Sequence, residues 1–170
     1  MNRWYLRGKV IHGFGRGGSQ LGFPTANIEL DDATTAALQK YKNLVIFGWG
    51  CVEPSSPPAS LSPAECGPFP FAMSVGHNPQ FKNKDLSAEV YFLHKFKEDF
   101  YGSYVRILCL GVLREQSAFT TLEELIQTIE KDCTDTSEQL KKEEFKKLES
   151  DPFLHPSKEE TLPAPYYKEL

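Results

Sequence analysis

The sequence has no hydrophobic run long enough to cross a membrane as a helix. Its longest apolar stretch, Leu44–Val52, contains two glycines, whereas a membrane-spanning helix needs about 18 consecutive apolar residues. The first residues, MNRWYLRGK, lack the apolar segment of a secretory signal peptide. We therefore expect neither a membrane partner nor secretion.

Paired cysteines and excess positive charge are also missing. The cysteines are scattered with no C-x-x-C pair, at Cys51, Cys66, Cys109 and Cys133. This spacing argues against a zinc site or a dithiol redox motif, and unpaired thiols favour a reducing compartment, so a cytoplasmic location is predicted. With 19 basic and 23 acidic residues, the chain offers no basic field for a phosphate backbone, and nucleic acid is not an expected partner.

Alternating apolar and polar residues dominate the first two thirds of the 170-residue chain, a length that suits one domain. This pattern, punctuated by glycine and proline, predicts six short strands without intervening helices. They are Trp4–His12, Ala26–Leu30, Val45–Val52, Phe69–Val75, Ala88–His94 and Tyr104–Leu113. The expected fold is mainly β, an antiparallel barrel or sandwich.

Helices are predicted only after the last strand. Thr121 with Glu124 three residues later is a capping box that begins one helix. The apolar stripe predicted to pack this helix on the barrel is Leu122, Leu125, Ile126 and Ile129. A second, Lys/Glu-rich helical stretch from Ser137 to Leu148 has few apolar residues and is expected to be peripheral.

Two segments are too rich in proline to build core elements. Residues 53–68 hold five prolines and four serines, which predicts an exposed loop. Residues 151–170 hold four prolines and are predicted to form an extended tail. The expected organisation is one domain over residues 1–150 followed by that tail.

A glycine-dense turn, GFGRGG at residues 13–18, follows the first predicted strand. It matches G-x-G-x-x-G, but LGFP at residues 21–24 resists helix formation, so a dinucleotide-binding βαβ unit is not predicted. Two interpretations stay open. The unhindered backbone N–H groups could approach phosphate oxygens, with Arg16 beside them, or the segment is a turn that binds nothing.

Thr25 and Asn27 lie two residues apart, so on an extended backbone their side chains point to the same face. A hydroxyl and an amide oxygen beside a phosphate-binding turn could complete a Mg²⁺ shell shared with nucleotide phosphates. The alternative is a turn in which both side chains bond to local backbone.

Several motifs occur in a fixed order along the chain. They are GFPTAN at residues 22–27, SVGHNP at 74–79, Glu89, FKEDFYG at 96–102, and the L-R-x-x-x-x-F pattern at 113–119. Together they resemble the riboflavin kinase (flavokinase) family, over the chain as far as Asp132. The resemblance implies a six-stranded antiparallel Greek-key barrel with a C-terminal helix, and the monofunctional eukaryotic type, since 170 residues leave no room for an FAD synthetase domain.

The implied activity is transfer of the ATP γ-phosphoryl group to the 5′-hydroxyl of riboflavin, giving FMN and ADP. Glu89 would be the general base, and Thr25 and Asn27 would bind Mg²⁺, with Zn²⁺ or Mn²⁺ as alternatives. ATP contacts are implied at Gly13, Gly15, Arg16, Gly17, Ser19, Thr25, Phe92, His94 and Tyr101. Flavin contacts are implied at Arg114, Ser117 and Phe119.

From the residues alone, the same side chains also have ordinary structural interpretations. Glu89 could be an outward-facing residue of an alternating strand, His94 a satisfied histidine, and Arg114 a surface arginine. Two other functions stay open: a barrel of the same fold that binds flavin or nucleotide without catalysis, and an interaction module that uses the proline-rich segment as a ligand. The expected partners are riboflavin and ATP, and the expected state is a monomer.

Overall fold

The computed structural model describes residues 1–11, 25–53, 66–76, 86–94, 96, 101–156 and 162–170. The strands in these ranges are β1 (Trp4–Ile11), β2 (Thr25–Ile28), β3 (Leu44–Val52), β4 (Phe69–Gly76), β5 (Ser87–Phe92), β6 (Tyr104–Glu115) and β7 (Tyr166–Glu169). The α-helices are α1 (Asp32–Leu38), α2 (Leu122–Leu140) and α3 (Glu143–Lys146). Short 3₁₀ turns cover Gln39–Tyr41, Lys147–Ser150 and Pro152–Leu154.

Six strands close into an antiparallel barrel in the order β1-β2-β5-β4-β3-β6, with β6 pairing back onto β1. This confirms the predicted barrel, and each strand starts and stops within two residues of its expected bounds. The seventh strand, β7, was not expected. It pairs with the first half of β1, outside the closed ring.

One face of each barrel strand points inward, as the alternation predicts. The interior is filled by fully buried side chains that include Leu6, Met73, Val90, Phe92 and Ile107. Polar residues that alternate with them therefore face the outside of the barrel. A ligand has access to the outer face wherever no helix or loop covers it.

A second apolar cluster covers the outer face of β3 and β6. Phe47, Trp49 and Leu108 pack there with Leu140 of α2, and Trp49 Nε1 donates a 2.9 Å hydrogen bond to the carbonyl of Phe145 in α3. The second helical stretch differs from its prediction, because residues 137–140 complete α2 and α3 is a separate short helix. No helix in the described ranges combines the length and apolar composition needed to cross a bilayer.

The buried side of α2 also differs from the expected apolar stripe. The capping box is present, since Thr121 Oγ1 accepts a 3.1 Å hydrogen bond from the Glu124 N–H. Leu122, however, is 57% exposed, and the buried positions are Asp132, Thr136 and Leu140. The helix therefore packs mainly through its second half.

The segment 151–170 is more ordered than an extended tail. In its described part, β7 pairs with β1, and Leu154 is buried in the outer cluster. The Arg7 guanidinium donates a 2.7 Å hydrogen bond to the carbonyl of Leu162. Most of the predicted loop at 53–68 lies outside the described residues, but Glu53 at its start and Cys66 near its end are buried.

Candidate active site

A row of outward-facing residues crosses five strands of the barrel at one level. Asn27 of β2 lies opposite Glu89 of β5, which lies opposite Ser74 of β4. Ser74 lies opposite Val45 of β3, which lies opposite Arg114 of β6. Because strands are spaced by about 4.8 Å, Glu89 and Arg114 are about 14 Å apart along the sheet. Val45 in the middle of the row is buried, and the polar side chains of Glu89 and Arg114 lie on either side of it.

Glu89 occupies the polar end of this row. Its neighbours along β5, Ala88 and Val90, point into the core, so the carboxylate points outward while most of the side chain is covered. Burial raises the pKa of Glu89 above its ordinary value, and a hydrogen-bonding interaction with the Thr25 hydroxyl opposes that rise. A partly desolvated carboxylate with a raised pKa is a better proton acceptor than a solvated one.

Thr25 and Asn27 lie on the same outer face of β2, as predicted, because Ala26 and Ile28 between and after them are buried. Their hydroxyl and amide oxygens suit a hard cation such as Mg²⁺. Within the described residues, no cluster of three His, Cys, Asp or Glu side chains can hold a metal by itself. The chain thus fits a metal that takes its remaining ligands from bound phosphates and water.

Three of the nucleotide contacts expected from sequence, Thr25, His94 and Tyr101, lie among the described residues at one end of the barrel. Thr25 begins β2 and lies opposite Tyr91 near the end of β5. His94 follows β5 and stacks on Phe69 with ring centroids 3.8 Å apart. Tyr101 lies next to Gly102, whose N–H donates to the carbonyl of Val10 near the end of β1.

Phe92 differs from the other expected nucleotide contacts. Its ring is 0% exposed and packs in the barrel core, because it continues the inward-facing positions of β5. Phe92 therefore offers no exposed surface to a ligand in this structure. The expected contacts Gly13, Gly15, Arg16, Gly17 and Ser19 lie outside the described residues, and they remain predictions.

At the other end of the row, Arg114 is held by α2. Its Nε and Nη2 donate hydrogen bonds of 2.7 and 2.8 Å to the two oxygens of Asp132, a carboxylate that is 2% exposed. This pairing raises the pKa of Arg114, with an opposing contribution from burial. Arg114 Nη1 also points to Ser117 Oγ at 3.4 Å, so two of the three expected flavin contacts are together.

An apolar surface lies just beyond Arg114 and Ser117. Phe119, the third expected flavin contact, is 36% exposed, and Leu122 at the start of α2 is exposed as well. An aromatic ring and an aliphatic side chain in solvent suit the stacking of a flat, hydrophobic ligand such as a flavin ring. Exposed apolar side chains therefore follow the Arg114 end of the row along the chain.

Sequence reasoning missed four residues that build the site. Ser74 and Gln116 are hydrogen-bonded to each other, and Tyr91 donates a 3.2 Å hydrogen bond to the carbonyl of Ile129 in α2. Asp132 orients Arg114. Strand alternation places Ser74 and Tyr91 on the outer face with Glu89, but no sequence pattern reveals which residue of α2 or of the segment after β6 reaches them.

The comparisons with known proteins show the family of the chain. The family model described as flavokinase, riboflavin kinase, matches residues 1–140. Riboflavin kinase from Pyricularia oryzae is 42% identical over 132 residues, which are 75% of this chain and 66% of that protein. Human riboflavin kinase is 34% identical over 161 residues, 94% of this chain and 95% of the human protein.

A solved structure shares the whole fold. The crystal structure of riboflavin kinase from Trypanosoma brucei is 39% identical, with a TM-score of 0.78, and covers 100% of this chain and 95% of its own. The closed antiparallel barrel and the match to the flavokinase model place the chain in the flavokinase class. The chain belongs to the riboflavin kinase family.

Proposed function

We propose that this chain transfers the γ-phosphoryl group of ATP to the 5′-hydroxyl of riboflavin, releasing FMN and ADP. The observation that carries this proposal is the order of side chains along the outer row. Oxygen donors for phosphates and metal come first, the carboxylate of Glu89 is next to them, and Arg114 with the exposed Phe119 lies at the far end. Riboflavin, which has a flat ring and a hydroxylated chain, fits this order with its ring near Phe119 and its hydroxyl end near Glu89.

Glu89 is proposed as the general base. Phosphoryl transfer passes through a loose transition state, so the protein has to align the acceptor oxygen and accept its proton late in the reaction. A single carboxylate is sufficient for that task. Burial of Glu89 raises its pKa and so favours proton acceptance, while a hydrogen-bonding interaction with the Thr25 hydroxyl opposes that rise.

Thr25 and Asn27 are proposed to bind the metal together with the phosphates of ATP. A bound Mg²⁺ would neutralise charge on the phosphate oxygens as the bond to the γ-phosphorus breaks. Oxygen donors favour Mg²⁺ or Mn²⁺, whereas Zn²⁺ prefers nitrogen and sulfur ligands. The Thr25 hydroxyl can donate its hydrogen to Glu89 and offer its oxygen lone pairs to the cation.

The direct test is ATP-dependent formation of FMN. The purified chain is incubated with riboflavin, ATP and Mg²⁺, and the flavins are separated by chromatography. We expect FMN only when ATP is present, loss of product with EDTA, and recovery on adding back Mg²⁺ or Mn²⁺. Riboflavin binding without any FMN would contradict the proposal and favour a non-catalytic flavin-binding barrel.

We further propose that the protein acts as a cytoplasmic monomer. The cysteines that the structure describes, Cys51, Cys66, Cys109 and Cys133, are all free thiols, which persist in a reducing compartment. The row that binds the substrates in this proposal is built from a single chain, so catalysis needs no partner subunit.

A further inference from the structure

We propose that Gln116 is a positioning residue that sets the distance between the bound flavin and the catalytic base. The inference rests on the proposed function and extends it to a residue outside the expected site. Gln116 follows the end of β6, two residues after Arg114 and three before Phe119. Through Gln116, residues 114–119, which we call the flavin-binding segment, are hydrogen-bonded to β4, the strand that pairs with β5 at Glu89.

Gln116 forms hydrogen bonds through both its backbone and its side chain. Its N–H donates a 2.8 Å hydrogen bond to the carbonyl of Asn43, just before β3. Its side-chain Nε2 donates to Ser74 Oγ in β4. Ser74 is the residue directly opposite Glu89 on the outer face. One amide therefore connects the flavin-binding segment to the immediate neighbour of the base.

Gly76 supplies the space for this amide. A Cβ built at Gly76 would lie 2.6 Å from Gln116 Oε1 and 3.0 Å from Nε2, and its three nearest atoms all belong to Gln116. Gly76 is not among the residues with positive φ, so its backbone suits any amino acid. Glycine is needed at this position only because the Gln116 side chain lies flat over it.

This arrangement matters for the reaction because the row has to place a hydroxyl correctly against Glu89. If the flavin ring is held near Arg114 and Phe119, the position of the segment 114–119 determines where the far end of riboflavin reaches. Misplacement by about 1 Å can lower a rate by about a hundredfold. Gln116 acts through this placement, and ATP, whose contacts are expected at the other end of the row, should not depend on it.

The test compares Gln116→Ala, Gly76→Ala and the double variant Gly76→Ala/Gln116→Ala in steady-state FMN formation. Gln116→Ala should lower kcat/KM for riboflavin by about ten- to a hundredfold, with the KM for ATP changed less than about twofold. Gly76→Ala should have the same effect because the new methyl group displaces the amide. The double variant should be no worse than Gln116→Ala alone, since both changes remove one contact.

Three further measurements separate placement from simple loss of stability. Gln116→Glu should keep most of the activity that Gln116→Ala loses, because a carboxylate can accept a hydrogen bond from the Ser74 hydroxyl. Gln127→Ala, a substitution at an exposed position of α2, is the matched control and should behave as the wild type. Melting temperatures of all variants, measured beside the kinetics, should not follow the order of their kcat/KM values.

The outcomes distinguish this inference from the proposed function. A wild-type chain that makes no FMN overturns the proposed function itself. An active wild type with unchanged riboflavin kinetics in Gln116→Ala overturns only the inference. Equal losses for ATP and riboflavin, or a loss that follows the melting temperature, would show that Gln116 is merely structural.

Discussion

Glu89→Gln is expected to lower kcat for FMN formation by about 10²–10⁴-fold, the usual contribution of a general base. Glutamine keeps the size of the side chain and its reach toward Thr25, but it cannot accept the proton of the riboflavin hydroxyl. Binding of riboflavin and ATP should change little, because the flavin ring and the nucleotide contact other residues. Rapid-quench measurement of FMN under single-turnover conditions isolates this chemical step.

The matched control for that experiment is Glu138→Gln, at an exposed glutamate of α2. It removes one negative charge outside both the row and the segment 114–119, so its turnover should equal that of the wild type. A folded Glu89→Gln enzyme with wild-type turnover would remove Glu89 from the role of base.

Glu53→Gln is expected to lower the free energy of unfolding by about 3–5 kcal/mol, the usual result of breaking a buried ion pair. Glu53 Oε2 accepts hydrogen bonds from Arg7 Nε at 2.6 Å and Arg106 Nε at 2.7 Å. The three side chains are almost fully buried, with Arg106 1% exposed. Replacing this carboxylate leaves two buried guanidinium groups without the negative charge that they share. Urea unfolding measures the difference.

The acid sensitivity of the wild type follows from the same cluster. Burial by itself raises the pKa of Glu53, but the hydrogen bonds and charges of Arg7 and Arg106 outweigh burial and lower it below its ordinary value. The stabilisation is therefore complete above the unfolded pKa of about 4.3 and is lost as the pH falls through the lower folded pKa. The stability gap between wild type and Glu53→Gln should narrow at such acid pH.

Glu169→Gln is the control, because Glu169 forms a 2.6 Å pair with Lys40 in which both side chains are exposed. Solvent screens such a pair, so this substitution should leave the unfolding midpoint nearly unchanged. An equal loss of unfolding free energy in the two variants would show that burial does not determine how much the Arg7–Glu53–Arg106 cluster stabilises the fold.

The barrel could be predicted from sequence because each strand repeats a period of two, and the closed ring satisfies that pattern on every strand. The C-terminal segment could not be predicted in the same way. β7 has only four residues, too few for a clear alternating pattern. The segment before it is held by side chains from strands far away in sequence, because Arg7 donates to the carbonyl of Leu162 and Arg106 donates to the carbonyl of Phe153. Helix α1 was missed as well, although Asp31 caps it by accepting a 2.8 Å hydrogen bond from the Thr34 N–H.

Part of the candidate site was accessible from sequence for a similar reason. Thr25 and Asn27 share a face because they are two residues apart, and Glu89 joins them because β5 pairs with β2. Alternation along β5 also explains why Phe92 points into the core, because Phe92 is two residues after Val90 and four after Ala88, which point inward. The sequence pattern was therefore sufficient to predict this orientation. The Arg114–Asp132 ion pair joins a strand to a helix, and such a contact depends on tertiary packing that no local pattern encodes.

The most direct test of the account is a crystal structure of the protein with riboflavin, Mg²⁺ and a non-hydrolysable ATP analogue. We expect the riboflavin ring against Phe119 and Arg114, its 5′-hydroxyl within hydrogen-bonding distance of Glu89, and the metal on Thr25 and Asn27. A complex with the 5′-hydroxyl away from Glu89, or with the substrates bound elsewhere on the barrel, would contradict the assignment of the outer row as the reaction centre.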